Sequence, residues 1–274
     1  MTRLLRNRGP EGPILFHPLA RDEELLPPLW LRRALVADLG AIERRFSPIT
    51  RTERVIDAPL GCGAFGCVFA LADGRVLKVT SDHDEGPATE RIRLLQSTGR
   101  KIESRSILAA TARIDAVFRL KHDYRVDTER SPLYGIVRER VGDAGEDIPM
   151  ALANDLDFYT DGWDAWGEAE EGPGRLLGVT MARVGLSFLR DGAAEQRWMG
   201  ALLAALWRDG YPLMDAHRCN VARRLARVGA GTRAGQIVFF DFGGGASCPM
   251  GHFARAGNGI QNKAPVPRVE IGTL

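Results

Sequence analysis

The stretch Gly61-Cys62-Gly63-Ala64-Phe65-Gly66-Cys67-Val68-Phe69-Ala70-Leu71, continued by Ala72-Asp73-Gly74 and Arg75-Val76-Leu77-Lys78-Val79, decides how this chain is to be read. It contains the spacing G-x-G-x-x-G, which two unrelated nucleotide-binding settings share and which is weak alone. In a dinucleotide-binding βαβ unit the third glycine opens a helix. Here Val, Phe and Leu follow Gly66, residues that favour strand, and Asp73-Gly74 marks a tight turn before a second apolar run. The segment is predicted to be a hairpin, and the dinucleotide reading fails. Glycines at 61, 63 and 66 let bare backbone amides approach an anion, and Lys78 on the next strand points a cation to the same place. Cys62 and Cys67 flank the loop; the pair reads as two buried small hydrophobes, with a response to oxidation as the alternative.

Upstream, Leu25, Leu29, Leu35, Leu39 and Ile42 recur at mostly helical spacings between Asp22 and Phe46, broken early by Pro27-Pro28. Residues 1–50 therefore read as an N-terminal helical extension. Downstream, Thr89–Gln96 is predicted to be helical, with Ile92 and Leu95 on one face and Gly99 just past its end. Ala112–Leu120 and Leu133–Val141 are strand-like, so residues 51–142 read as a five-stranded sheet with one helix. A phosphate-facing lysine needs a carboxylate to fix its stem; Glu90 on the predicted helix is the candidate and Glu85 its rival.

Composition changes at Gly142. From Asp143 to Glu171 there are ten acidic residues and no Lys or Arg, together with Tyr159, Trp163 and Trp166. Residues 143–193 read as an acidic insertion or linker, and its carboxylates would steer a basic protein or a cationic small molecule. The remaining region, 194–274, opens with a helix over Glu195–Trp207 and then carries Asp215-Ala216-His217-Arg218-Cys219-Asn220. An Asp and an Asn five apart can share a bend, one orienting a hydroxyl and the other offering a neutral oxygen to Mg²⁺. The patch Ala222–Gly235 reads as a loop between strands. The apolar run Gln236–Phe240 then delivers Asp241, followed by Phe242 and Gly243. A carboxylate at the mouth of a buried strand is unfavourable unless a cation or donors meet it.

Taken in order, the Gly61–Val68 loop, Lys78, Glu90, Asp215 with Asn220, and Asp241-Phe242-Gly243 resemble the protein-kinase-like superfamily over about residues 55 to 245. The resemblance implies an α+β, two-lobed fold with a β-rich N-lobe and a reduced helical C-lobe. It implies ATP under Gly61, Gly63, Phe65, Gly66 and Val68, with the backbone of Glu139 and Val141 at the adenine. Lys78 would hold phosphates, Asn220 and Asp241 would hold Mg²⁺, and Asp215 would orient an acceptor hydroxyl, a protein Ser/Thr in preference to a small molecule. His217, in Asp-x-His-x-x-Asn, is more similar to small-molecule kinases and is placed near the γ-phosphate. The His-Arg that precedes the catalytic Asp in protein kinases is Leu213-Met214 here, and only 31 residues follow Gly243. These departures suggest a minimal, atypical kinase, or a pseudokinase serving as a regulatory module.

The composition agrees with a folded protein: 45% hydrophobic and 26% charged residues exclude a disordered tail and a coiled coil. A formal net charge of +2 is too balanced for a nucleic-acid footprint. Without a long apolar run or signal-like N-terminus, and with four scattered cysteines, the expectation is a reduced, cytoplasmic protein that enters no membrane.

Overall fold

The computed structural model describes residues 29–46, 59–62, 65–98, 107–121, 123–126, 129–169, 172–208, 212–229, 232–243 and 271–274. The start of the first expected strand at Val55, the helical residues expected before Leu29, and Gly63 lie outside these.

The glycine-rich stretch forms β1 (Gly61–Cys62), β2 (Gly66–Ala70) and β3 (Arg75–Thr80). β1 pairs antiparallel with β2, Cys62 opposite Cys67, and β2 with β3, Val68 opposite Lys78. Gly74 closes the β2–β3 turn at φ 83°, where a side chain would be strained. Arg75 clamps that turn by hydrogen bonds of 2.9 and 2.6 Å to Asp73 Oδ2. Next come β4 (Ile114–Arg119), the hairpin β5 (Tyr124–Val126) and β6 (Glu129–Ser131), and β7 (Tyr134–Glu139). Five strands share one sheet in the order β1-β2-β3-β7-β4, and the protein is α+β as expected.

Contacts divide the chain into two units, one of Met1–His83, Phe118–Val137 and Gly272–Leu274, the other of Asp84–Val117 and Arg138–Ile271. Boundaries drawn along the sequence at 50, 142 and 193 do not coincide with these, because both units gather segments that are distant in the chain.

In the first unit, α1 (Leu29–Arg45) buries Leu31, Ala34, Leu35 and Ile42. Asp38, 1% exposed on the same helix, accepts the Lys121 N–H at 2.8 Å through Oδ2. Phe46 stacks on Phe118 at 5.2 Å between centroids. A Cβ on Gly135 would come within 2.3 Å of the Phe118 ring, so glycine makes room for it. The helical part of the expected extension is thus packed into this unit.

In the second unit, α2 (Glu85–Thr98) starts four residues before Thr89, with Pro87 in its first turn, where a missing N–H does no harm. Gln96 fastens it to the next segment: its amide donates to Thr111 Oγ1 at 2.7 Å and to the Ala112 carbonyl at 2.8 Å, and Oε1 accepts the Ile114 N–H at 3.0 Å.

The acidic region, expected as an insertion or linker, is helical. It folds into α3 (Met150–Glu168) and α4 (Pro173–Asp191), followed by α5 (Ala194–Arg208). Leu152, Leu156, Tyr159 and Trp163 recur at helical spacing and are buried, a face that the excess of Asp and Glu conceals in a composition count. Trp163 meets Trp207 at 4.7 Å between centroids. α3 and α4 approach backbone to backbone: a Cβ on Gly162 would lie 2.4 Å from Ala182 N, and one on Gly178 would lie 2.5 Å from Trp166 N. Among the described residues no helix is long and apolar enough to cross a membrane.

β8 (Val221–Arg223) and β9 (Ile237–Phe239) form an antiparallel pair, and Arg224 follows β8 at 1% exposure. Its guanidinium donates to Glu139 Oε1 at 2.9 Å, Gln236 Oε1 at 3.0 Å, and the carbonyls of Leu108 and Thr111 at 2.8 and 2.7 Å. Removing one partner of a buried ion pair leaves the other charge uncompensated. Arg224→Leu should therefore lower stability by about 3–5 kcal/mol in urea unfolding, and the double variant with Glu139→Leu should recover part of that loss. Equal losses in the single and double variants would show that Glu139 is not the group left stranded.

Candidate active site

The register of β8 and β9 assembles the site. Val221 lies opposite Phe239, so Asn220 and Phe240 meet just beyond the ladder, and Phe240 N–H donates to the Asn220 carbonyl at 3.1 Å. The half-buried Asp241 comes next. Asn220 itself, 8% exposed, ends a single 3₁₀ turn over Arg218–Asn220. Its Nδ2 donates to the Asp215 carbonyl at 2.6 Å and to Asp215 Oδ2 at 3.2 Å. The other carboxylate oxygen, Oδ1, lies 3.0 Å from His217 Nε2, and the Asp215 side chain keeps 45% exposure. His217 Nδ1 in turn accepts the Cys219 N–H at 3.1 Å. Asp215, His217 and Asn220 therefore form one network that orients both oxygens of a carboxylate whose side chain stays partly open to solvent. Asp157 of α3 anchors the loop from outside, 3.7 Å from Arg218 Nε and accepting the Arg218 N–H at 3.4 Å.

Burial works against a charged His217, yet its hydrogen bonds to Asp215 and Cys219 outweigh this and raise it above the ordinary value. The Cys219 backbone N–H, which needs the Nδ1 lone pair, opposes the cation, so the upward direction rests on Asp215 first and the Cys219 thiol second. The hydrogen bond to His217 lowers the exposed, free Cys219 thiol.

Arg138, on β7, has no counterpart in the sequence reading. It is 5% exposed and stacks on Phe240, its guanidinium carbon 4.9 Å from the ring centroid. Burial pulls it below the usual arginine value, while the charges of Asp241, Glu85 and Glu139 push it back. Arg224 was also missed, hidden in the arginine-rich Ala222–Gly235 patch. The only signal for either was an arginine set among apolar strand residues.

The other expected site residues are placed as follows. Gly66 is buried at the start of β2, where a Cβ would lie 2.1 Å from the Val79 carbonyl oxygen, so only glycine fits. Phe65 is 49% exposed at the hairpin tip, its carbonyl accepting Ser81 N–H at 2.7 Å and Oγ–H at 3.0 Å. Gly61 is half-buried on β1, and Lys78 is half-buried in β3. Glu90, 6% exposed, gives both oxygens to its helix neighbour Arg93 at 2.6 Å each. Its rival Glu85 is 2% exposed. Glu139 donates its N–H to the Arg113 carbonyl at 2.9 Å, and burial raises its carboxyl against the pull of Arg224. Val141 is half-buried and bridges to Arg224.

Cys62 and Cys67 are corrected. They are joined in a disulfide, because the β1–β2 register sets them opposite each other with Cα atoms 4.1 Å apart. The expectation of reduced cysteines fails for this pair; two cysteines placed symmetrically about a hairpin turn were the available signal.

Measured by NMR, the His217 imidazole should titrate above 6.5, and Asp215→Asn should lower that midpoint. A histidine raised in the folded state contributes stability that is fully present below its unfolded value and is lost as pH rises through the folded one. The loop should accordingly be firmest from acid to neutral pH and loosen in alkali. A wild-type midpoint at or below 6.5 would remove Asp215 as its partner.

No protein-family model matches the chain, and no curated protein matches it.

Proposed function

We propose that the chain is an ATP- and Mg²⁺-dependent phosphotransferase of the protein-kinase-like type, two-lobed, with the β-rich sheet as one lobe and a reduced helical lobe carrying the catalytic loops. The observation that carries this reading is the meeting of Asp215, bound by the Asn220 side chain, with Asn220 at the end of a 3₁₀ turn and Asp241 just beyond β9, whose Phe240 N–H bonds the Asn220 carbonyl. That is the set of groups the ordered motifs require, and the second-unit geometry supports it without reference to the glycine-rich hairpin.

The residues suit the metal. Asn220 commits Nδ2 to Asp215, leaving Oδ1 as its acceptor, and Asp241 adds a half-buried carboxylate; these are hard oxygen donors of the kind Mg²⁺ takes. When bound, Mg²⁺-ATP supplies the γ-phosphoryl group and the metal offsets its charge. Asp215 accepts the proton of the acceptor hydroxyl or orients it, and its exposure gives that hydroxyl access. His217 holds Asp215 and is a positioning residue, in place of the γ-phosphate contact the sequence suggested. In the hairpin, the amides about Gly61, Gly63 and Gly66 are assigned to the phosphates by their spacing in the sequence, with Phe65 and Val68 beside them and Lys78 as their counter-charge. Because Glu90 is clasped by Arg93, the carboxylate that would steady Lys78 is assigned to either Glu85 or Glu90. The backbone of Glu139 and Val141 is assigned to the adenine. The acceptor is a hydroxyl, of protein Ser/Thr rather than a small molecule, and the compartment is the cytoplasm.

A basic partner would be drawn to the acidic segment from Asp143 to Glu171, where Asp164 and Glu168 of α3 are exposed. Neither nucleic acid nor membrane belongs to this reading. The pseudokinase reading draws on Arg138, a permanent cation placed where it offsets the charge of Asp241 without a metal.

Asp215→Asn should lower turnover with ATP and a generic basic protein by at least about 100-fold and leave ATP affinity nearly intact. A pseudokinase has no turnover to lose. Parallel loss of affinity and rate would place Asp215 in the ground-state nucleotide site instead. Asp241→Asn should abolish the Mg²⁺ dependence of ATP binding in calorimetry. Equal affinity with and without Mg²⁺ in the wild type would end the metal assignment and favour Arg138 as the charge that meets the nucleotide.

A further inference from the structure

Three groups of the second unit gather at Phe240. Its N–H donates to the Asn220 carbonyl at 3.1 Å, Asp241 follows it in the chain, and the Arg138 guanidinium lies over its ring, 4.9 Å from the centroid. Arg138 is 5% exposed, and its Nε meets no hydrogen-bond acceptor among the described residues. It differs in this from the equally buried Arg224, whose guanidinium reaches four acceptors. A buried cation is unfavourable unless it is paired and hydrogen-bonded. For Arg138 the compensation comes from the Phe240 ring and from the charges of Asp241, Glu85 and Glu139. Glu139 already faces Arg224 at 2.9 Å, whereas the half-buried Asp241 stands beside the Asn220–Phe240 bond.

We propose that Arg138 is a built-in counter-cation that keeps free divalent metal out of the Asn220–Asp241 site, so that Mg²⁺ enters only with the triphosphate of a nucleotide. The inference rests on the metal and nucleotide reading of that site and adds its order of loading. A metal ion arriving alone gains the attraction of Asp241 but is repelled by the guanidinium, and in a half-buried setting water and salt screen neither force well. Arginine does not escape this conflict by losing its proton, because it keeps its charge over any ordinary pH range. A triphosphate reverses the balance, since its several negative charges attract the metal and the guanidinium together.

Loading is then cooperative, and each partner raises the affinity of the other by the same factor. The same coupling acts on the fold. Metal bound alone at Asp241 takes from Arg138 part of the field that compensates its burial, so it should add little stability to the wild-type chain.

The test titrates Mn²⁺, as a probe of the Mg²⁺ site, into the full chain without nucleotide and follows binding by electron paramagnetic resonance. Arg138→Met keeps an unbranched apolar stem against Phe240 and removes the charge; Arg138→Lys keeps the charge. The Met variant should bind Mn²⁺ at least about tenfold more tightly than wild type, and the Lys variant should stay near wild type. Adding Asp241→Asn to the Met variant should abolish the gain. Arg138→Gln, neutral and still polar, supplies the same reading if the Met variant folds poorly. Mg²⁺ alone should raise the Tm of a neutral variant more than that of wild type. Equal Mn²⁺ affinity in wild type and the neutral variants, or a gain that survives Asp241→Asn, would overturn the proposal and leave the phosphotransferase reading standing. If a neutral variant gains metal but ATP draws no Mn²⁺ into wild type, the phosphotransferase reading falls and joint entry with it, while the exclusion of free metal by Arg138 stands.

Discussion

The buried guanidinium of Arg224 is the constraint on which the second unit depends. An arginine taken out of water is tolerated only if its donors are met, and here they reach an acid at the end of β7, an amide just before β9 and two backbone carbonyls near residue 110. Those acceptors come from distant segments, Glu139 lying 85 positions from Arg224 and Leu108 lying 116. Local propensity does not bring such segments together; a single planar cation does, because each of its donor directions specifies one of them. The β8–β9 pair that carries Asn220 and Asp241 at one end meets this cation at the other, so the candidate site inherits its alignment from a buried ion pair.

The legible part of the fold was the part with a local code. Alternating apolar residues and Asp73-Gly74 gave the β2–β3 hairpin, and the apolar run before Asp241 gave β9. The helix over residues 85–98 was found but begun late, since Glu85 and Pro87 in a first turn look like loop residues until the helix behind them is seen. The acidic stretch misled because charge was averaged over a segment whose buried face repeats every three or four residues. Arg138 and Arg224 were invisible for a different reason: their meaning lies in acceptors from other parts of the chain. In the candidate site, the Asp215–Asn220 pairing was foreseen from spacing, whereas the turn of His217 toward Asp215 depends on loop torsions that no spacing reveals. The disulfide lay between these cases, legible once the hairpin register was taken seriously.

Within the site, neutral and charged groups alternate with some economy. Asn220 contributes a dipole where a second carboxylate would repel Asp215, and His217 supplies a donor that can carry charge as needed. Arg138 is fixed in its protonation over any ordinary pH range, so its influence on Asp241 is constant while that of His217 varies.

The glycine seam between α3 and α4 has a mechanical meaning. Where helices meet through long side chains, a small displacement is absorbed by rotamer changes; where backbone meets backbone at Gly162, Gly178 and Gly185, nothing is left to rotate. The two helices should behave as one stiff beam. Asp157 stands on that beam and meets Arg218, two residues from Asn220, so a push on the outer face of α4 would arrive at the Asp215–Asn220 loop with little loss. Sequence drift should show the same asymmetry, with wide freedom on the solvent faces and almost none along a line of positions that have no side chain at all.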